Sequence, residues 1–265
     1  ADFNDVSSAV PGQELIIPLK PYDMGGITLK GYQTVPVLSY HKFSEDKFDK
    51  MTVTAAAFEA QMKLLKDKGY RVITLDQLFE FLDLDGQIPE KSVLITIDDG
   101  WRSTYVIALP ILKKYGYPAT LFVYTDMITG SRTALDWNLV VELSKNNIDI
   151  QCHTKTHRNL AEISGKESFR EYFDSIDREI AVSLKMIREK VNKEPKYLAY
   201  PYGDTNHLVI ALLKKYGFRG AFTVKRVANP FFINNYIINR SMIYGDMAIA
   251  QFEKNLTVSR AEALK

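Results

Sequence analysis

At 265 residues, 46% of them apolar and 25% charged, the chain is long enough for one substantial α/β domain, alone or with a small appendage, and has the balance of a globular protein. A net charge of +2 without a Lys/Arg cluster leaves no footprint for nucleic acid, and no apolar run approaches the roughly 20 residues of a membrane span. The single cysteine, Cys152, excludes an intramolecular disulfide, and residues 1–30 lack the basic start and apolar centre of a signal peptide, which points to a cytosolic protein or to a leader outside these residues.

Residues 1–33 differ from the rest. Pro11 and Gly12 make a turn before a short apolar strand ending at Pro18, and Pro18, Pro21, Gly25 and Gly26 form a linker that buries no core of its own. From Thr34 onward the pattern becomes regular. Residues 34–40 read as a strand ending at His41, and 54–68 as a helix with Thr54 as N-cap. A strand over 70–75 and a short helix to Leu84 follow. Residues 92–97 are an apolar run that stops in Asp98, Asp99 and Gly100, the signature of a strand buried on both faces. Residues 103–115 are helical and close on Gly116, 118–125 form a strand, 137–146 a helix, 148–153 a strand and 167–191 a long amphipathic helix. Strands at 197–200, 220–224 and 236–244, a helix over 205–216 and a last helix after Asp246 complete the series. Alternating strands and helices with short connections predict a parallel sheet with crossover helices. Seven or so nearly continuous apolar strands favour closure into a barrel over an open sheet, and no Gly-x-Gly-x-x-Gly follows any strand.

The residues that carry chemistry cluster at predicted strand ends. Ligands bind at the carboxyl ends of parallel strands, so adjacent acids there point to chemistry, although an Asx turn capping the next helix explains them too. His153 and His157 end the 148–153 strand four residues apart. Two imidazoles and one carboxylate make a ligand set for a catalytic divalent metal with one position open to water, and the second Asp is then free to face that water. Strand alternation turns Cys152 away from His153, into the core. In Tyr200-Pro201-Tyr202-Gly203, proline ends the strand and glycine permits a close backbone approach, so an N–H for an oxyanion and a plain turn are equally natural readings. His41 falls on the same rim if the barrel closes. Trp101 and Trp137 sit near it, where sugar stacking competes with ordinary packing, while His207 reads as a surface residue.

Together these motifs resemble the polysaccharide deacetylases of carbohydrate esterase family 4, which share the NodB homology domain. Thr96 to Gly100 is similar to the family's first motif, His153-Thr-Lys-Thr-His157 to its second and Ala199-Tyr-Pro-Tyr-Gly203 to its third. The resemblance spans about residues 34–250 and implies a distorted (β/α)7–8 barrel. It also implies Asp98 as general base, Asp99, His153 and His157 as metal ligands, and the Tyr202 N–H as oxyanion donor. The third motif usually opens with an arginine that orients the base; here Ala199 stands in its place. The usual C-terminal acid histidine is absent as well, since no His follows His207. Tyr40-His41 and the Tyr-Pro-Tyr-Gly form resemble the poly-N-acetylglucosamine deacetylase branch, in which an N-terminal Tyr-His supplies the acid. Arg240 matches an Arg of that branch. It is placed with Tyr202, Trp101 and Trp137 among the residues expected at the substrate, and whether it replaces the missing arginine stays open. The 11–18 stretch resembles the closing strand of a LysM repeat, a glycan-binding module, with a plain N-terminal arm as the alternative.

The expected activity is metal-dependent removal of N-acetyl groups from a polysaccharide containing N-acetylglucosamine, either peptidoglycan or the β-1,6-linked exopolymer. The cofactor is one divalent ion, zinc or else cobalt or nickel. A deacylase or amidase on a smaller amide, and a non-catalytic glycan-binding protein, are the competing readings. The expected domains are an arm and linker over 1–33 and a catalytic domain over 34–265. An extracytoplasmic location follows from the resemblance alone, and the oligomeric state is not readable from these residues.

Overall fold

The structure is a computed structural model that describes residues 24–28 and 31–262. The strand expected before Pro18, and with it the LysM-like segment, lies outside the described residues. In chain order the elements are β1 (Ile27–Thr28), β2 (Gly31–Val35), β3 (Val37–Tyr40), β4 (Lys42–Ser44), β5 (Thr52–Thr54), α1 (Ala55–Asp67), β6 (Arg71–Val72), α2 (Leu75–Leu82), β7 (Ser92–Asp99), α3 (Leu109–Tyr115), β8 (Ala119–Val123) and α4 (Trp137–Ser144). They continue with β9 (Ile148–Cys152), α5 (Phe169–Val191), β10 (Tyr197–Ala199), α6 (His207–Lys215), β11 (Gly220–Phe222), β12 (Asn229–Pro230), β13 (Ser241–Met242), α7 (Ile249–Glu253) and β14 (Ser259–Ala261).

The central sheet has the order β11-β10-β9-β8-β7-β3-β13, with every pairing parallel, and β6 adds to the start of β7. Its two edges approach through one parallel bridge, Phe222 with Ile238, so the sheet curls into an incompletely closed, distorted barrel. The alternation of β7 sorts its side chains. Val93, Ile95 and Ile97 pack outward against the helices, whereas Leu94 joins Val37, Phe122, Ala199 and Phe222 in a second apolar cluster on the other face. Helix α2 contributes Leu75, Leu78, Phe79, Phe81 and Leu82 to that inner cluster. Phe79 lies 4.5 Å from the Tyr197 ring, at the opposite end of the strands from Asp98.

The helix starts follow their caps. The Thr54 hydroxyl accepts from the Ala57 N–H, Thr74 and Gln77 form a capping box on α2, and Ser168 and Glu171 form another on α5. Three expected elements differ. The strand expected over 34–40 is two strands in two sheets, because Pro36 has no N–H to continue a ladder. β3 enters the barrel, while β2 pairs with β1, β12 and β14 in a small antiparallel sheet. The helix expected over 103–115 opens as a π-helical turn at Thr104–Ala108 and becomes regular only at Leu109, beside Pro110, which has no N–H to give to the preceding turn. The strand expected over 236–244 contracts to Ser241–Met242. Residues upstream bond to β11 instead, through Ile238 N to Ala221 O and Thr223 N to Ile238 O.

Candidate active site

The carboxyl ends of β3, β7, β9 and β10 share one rim, and the sequence motifs all lie on it. Asp98 is the last inward position of the 94, 96, 98 series, so its side chain points into the barrel and is 2% exposed. Arg240 meets it there: Nη1 donates to Asp98 Oδ1 at 2.7 Å and to Thr96 Oγ1 at 3.3 Å, and Nε donates to the Thr223 carbonyl at 3.2 Å. Burial by itself would raise the Asp98 carboxyl. The charge of Arg240 and its hydrogen bond outweigh it and hold the group well below the usual carboxylate range. Asp98 Oδ2 accepts from Ser39 Oγ at 3.5 Å and lies 3.8 Å from His41 Nε2. Asp98 is therefore a carboxylate with one oxygen held by Arg240 and the other turned toward Ser39 and His41.

Asp99 turns the other way, because its φ of 81° takes it out of the strand before Gly100. Gly100 has φ 122°, and a Cβ there would stand 2.5 Å from Ile128 Cδ1, so glycine is required at that corner. Asp99 Oδ1 lies 3.8 Å from His153 Nε2 and 3.7 Å from His157 Nε2, and the three ligand atoms all fall within 4.8 Å of one another. Donors held at about 2.0–2.1 Å on a tetrahedron stand about 3.4 Å apart, so modest closure brings all three onto one ion.

The chemistry of the donors fits a divalent metal as well. His153 Nδ1 is 2.7 Å from the Ala199 carbonyl, which calls for an N–H at Nδ1 and leaves Nε2 with its lone pair toward Asp99. Burial holds the His153 imidazole below its ordinary pKa, in the neutral form that a ligand needs. Asp99 Oδ2 accepts from the Trp101 indole N–H at 2.9 Å, so only Oδ1 faces the imidazoles. Seven non-glycine residues among those described have positive φ, and four of them, Asp99, Thr154, His157 and Tyr202, belong to this rim. Such backbone costs of order 1–3 kcal/mol per residue, which concentrates strain where side chains must converge.

The other expected residues divide. Tyr202 has φ 62°, is 66% exposed, and sets its ring edge-on to the His157 imidazole at 4.9 Å. Gly203 beside it sits against Val224, whose backbone N would be 2.6 Å from an added Cβ. Arg240, expected at the substrate, is 1% exposed, and its Nη1 is bonded to Asp98 inside the barrel. Trp101 is half-buried with Lys42 Nζ 4.8 Å over its ring, and its indole N–H is committed to Asp99. Trp137, expected at the substrate as well, opens α4 next to the Asp136 cap and packs, partly buried, on the main core. Cys152 is buried against Ser183, on the face away from His153. The Trp101 and Ala199 contacts escape sequence reasoning, the first because an indole gives no sign of its hydrogen-bond partner, the second because any residue carries a carbonyl.

A barrel of this topology with such a rim defines the NodB homology fold. A deacetylase from Streptococcus pyogenes, solved with acetate, superimposes with a TM-score of 0.75 at 23% identity over 85% of this chain and 99% of that one. A polysaccharide deacetylase from Bacillus cereus does so with a TM-score of 0.68 at 26% identity, covering 84% of this chain and 69% of that one. Residues 85–221 match the polysaccharide deacetylase family model, and the chain belongs to that family. Among its relatives by sequence is the poly-beta-1,6-N-acetyl-D-glucosamine N-deacetylase of Staphylococcus aureus, 29% identical over 213 residues, which are 78% of this chain and 73% of that protein.

Proposed function

We propose that this protein is a divalent-metal-dependent hydrolase that removes N-acetyl groups from a polysaccharide containing N-acetylglucosamine. The β-1,6-linked exopolymer is the favoured substrate and peptidoglycan the second. The observation that carries the reading is the pairing of two functions at one strand end: Asp99 shares a 4.8 Å cluster with His153 and His157, while Asp98, one residue earlier, is held as a carboxylate facing His41.

Asp99, His153 and His157 would hold the ion, with zinc suited to this donor set and cobalt or nickel as substitutes. When bound, the ion supplies Lewis acidity for water and for the acetamide carbonyl, which an amide requires at neutral pH. Asp98 Oδ2 accepts the proton of the attacking water, and Arg240 on the other oxygen keeps the carboxylate in place. The backbone N–H of Tyr202 stabilises the oxyanion. His41, across from Asp98, gives a proton to the departing amine nitrogen, without which the C–N bond does not break. The favoured polymer rests on the Tyr40-His41 pair and on the named activity of the Staphylococcus aureus relative. Such a polymer lies outside the cytoplasm, and the enzyme is proposed to work there.

Acetate release from β-1,6-linked and β-1,4-linked N-acetylglucosamine oligomers, measured with zinc and with a chelator, tests this. Release from the first that the chelator abolishes is expected. No release from either by metal-loaded protein would overturn the reading in favour of glycan binding without catalysis.

A further inference from the structure

Helix α5 carries a buried stripe of Tyr172, Ile176, Ile180, Leu184 and Ile187, and Glu179 lies within it at 6% exposure. A carboxylate on the apolar face of a helix costs several kcal/mol of lost hydration unless something compensates it. No salt bridge does so among the described residues, since the nearby cations Lys155 and Arg158 pair with Asp126 and Glu167 instead. What compensates Glu179 is one turn of backbone. Its Oε2 accepts from the N–H groups of Lys155 at 3.0 Å and Thr156 at 2.8 Å, and its Oε1 accepts from Thr156 Oγ1 at 2.8 Å. Those donors all fall in the three residues that separate His153 from His157.

The two histidines are not equally secured. His153 is buried, its Nδ1 bonded to Ala199 and its N–H to the Val123 carbonyl of β8. His157 is a quarter exposed, beyond the strand, at φ 65°. Its N–H is bonded to Thr154 Oγ1, within the turn itself. That turn is tied to the segment after β8 by Thr125 N to the Thr154 carbonyl and Asp126 N to the Lys155 carbonyl, and to α5 by Glu179. We propose that Glu179 is a positioning residue, a buried carboxylate on α5 that clamps the 154–156 turn and so presents His157 to the metal. The inference rests on the metal centre proposed above and extends it from the three donors to the support of the least anchored one.

The test compares Glu179→Gln, Glu179→Ala and, as a control on the same helix, Asp177→Asn, whose native carboxylate accepts from Lys215 and Tyr216 away from the site. Cobalt(II) and zinc(II) affinities are measured by chelator competition, with the visible spectrum of the cobalt form and the melting temperature of the metal-free protein recorded alongside. Outer partners of metal ligands commonly contribute about ten- to a hundredfold in affinity. A loss of that size in Glu179→Ala, a smaller one in Glu179→Gln, an altered cobalt spectrum in both and wild-type affinity in Asp177→Asn are expected. Unchanged affinity and spectrum in folded Glu179 variants would overturn the clamp, as would failure of the near-isosteric Glu179→Gln to fold, which would make the residue a requirement of the core. Absence of metal binding by the wild-type protein would instead overturn the metal centre itself.

Discussion

Arg240 donates to Asp98 across 142 positions of sequence, at 2.7 Å, with both side chains sealed inside the barrel. The contact reaches Asp98 from the start of β13, which pairs with β3, and not from Ala199 on β10, where the third motif lacks its arginine. Removing one partner of a buried pair leaves an uncompensated charge, so Arg240→Met is expected to destabilise the protein by about 3–5 kcal/mol in chemical denaturation. Adding Asp98→Asn should recover more than half of that loss, because no buried charge then remains. A double variant no more stable than Arg240→Met would show that the arginine acts through packing alone.

Asp98→Asn alone keeps the shape of the site but accepts no proton. Metal content by elemental analysis is expected to stay at the wild-type level, while deacetylation falls by about 10²–10⁴-fold. Substantial remaining turnover would remove Asp98 from the role of base.

His153→Ala is expected to do the reverse and lose the metal itself, since it removes the one imidazole that is both buried and oriented by a carbonyl. Chelation of the wild-type protein should likewise abolish activity and lower the melting temperature, with both restored by added zinc, because a ligand bound only by the native state stabilises it. A melting temperature indifferent to chelator and to zinc would contradict this.

His41→Gln should leave metal affinity near wild type and lower kcat by about 10²–10⁴-fold, since the imidazole stands 3.8 Å from Asp98 Oδ2. Equal loss of metal would instead make His41 part of the cluster that binds the ion.

Trp101 separates two readings by a conservative change. Phe keeps an aromatic face but removes the indole donor, so Trp101→Phe is expected to weaken metal affinity by about tenfold with little change in KM for the glycan. A raised KM with unchanged metal affinity would restore the sugar-stacking role expected from sequence.

The strand ends were legible because a run such as Ser92–Asp99, apolar and then abruptly acidic, reflects burial on both faces of one local segment. The same local logic marked Thr54 as a cap, Gly116 as a helix end and the His153–His157 pair as a neighbouring set. Pro36 hid the split of the first strand, since a single proline inside an apolar run does not say which sheet each half joins. Glu179 did leave a trace, an acid in the buried stripe of an amphipathic helix, but its partners lie more than twenty residues upstream.

What the sequence by itself determined is the alternation of elements, the three motifs and the residue types at the rim, because periodicity, caps and turn residues act over a few neighbours. The tertiary structure decided which groups face one another: that Arg240 pairs with Asp98, that the Trp101 indole bonds Asp99, and that Trp137 packs on the core. Those contacts depend on how far the sheet curls and on which face each strand turns inward, and both are settled only when all the strands pack together.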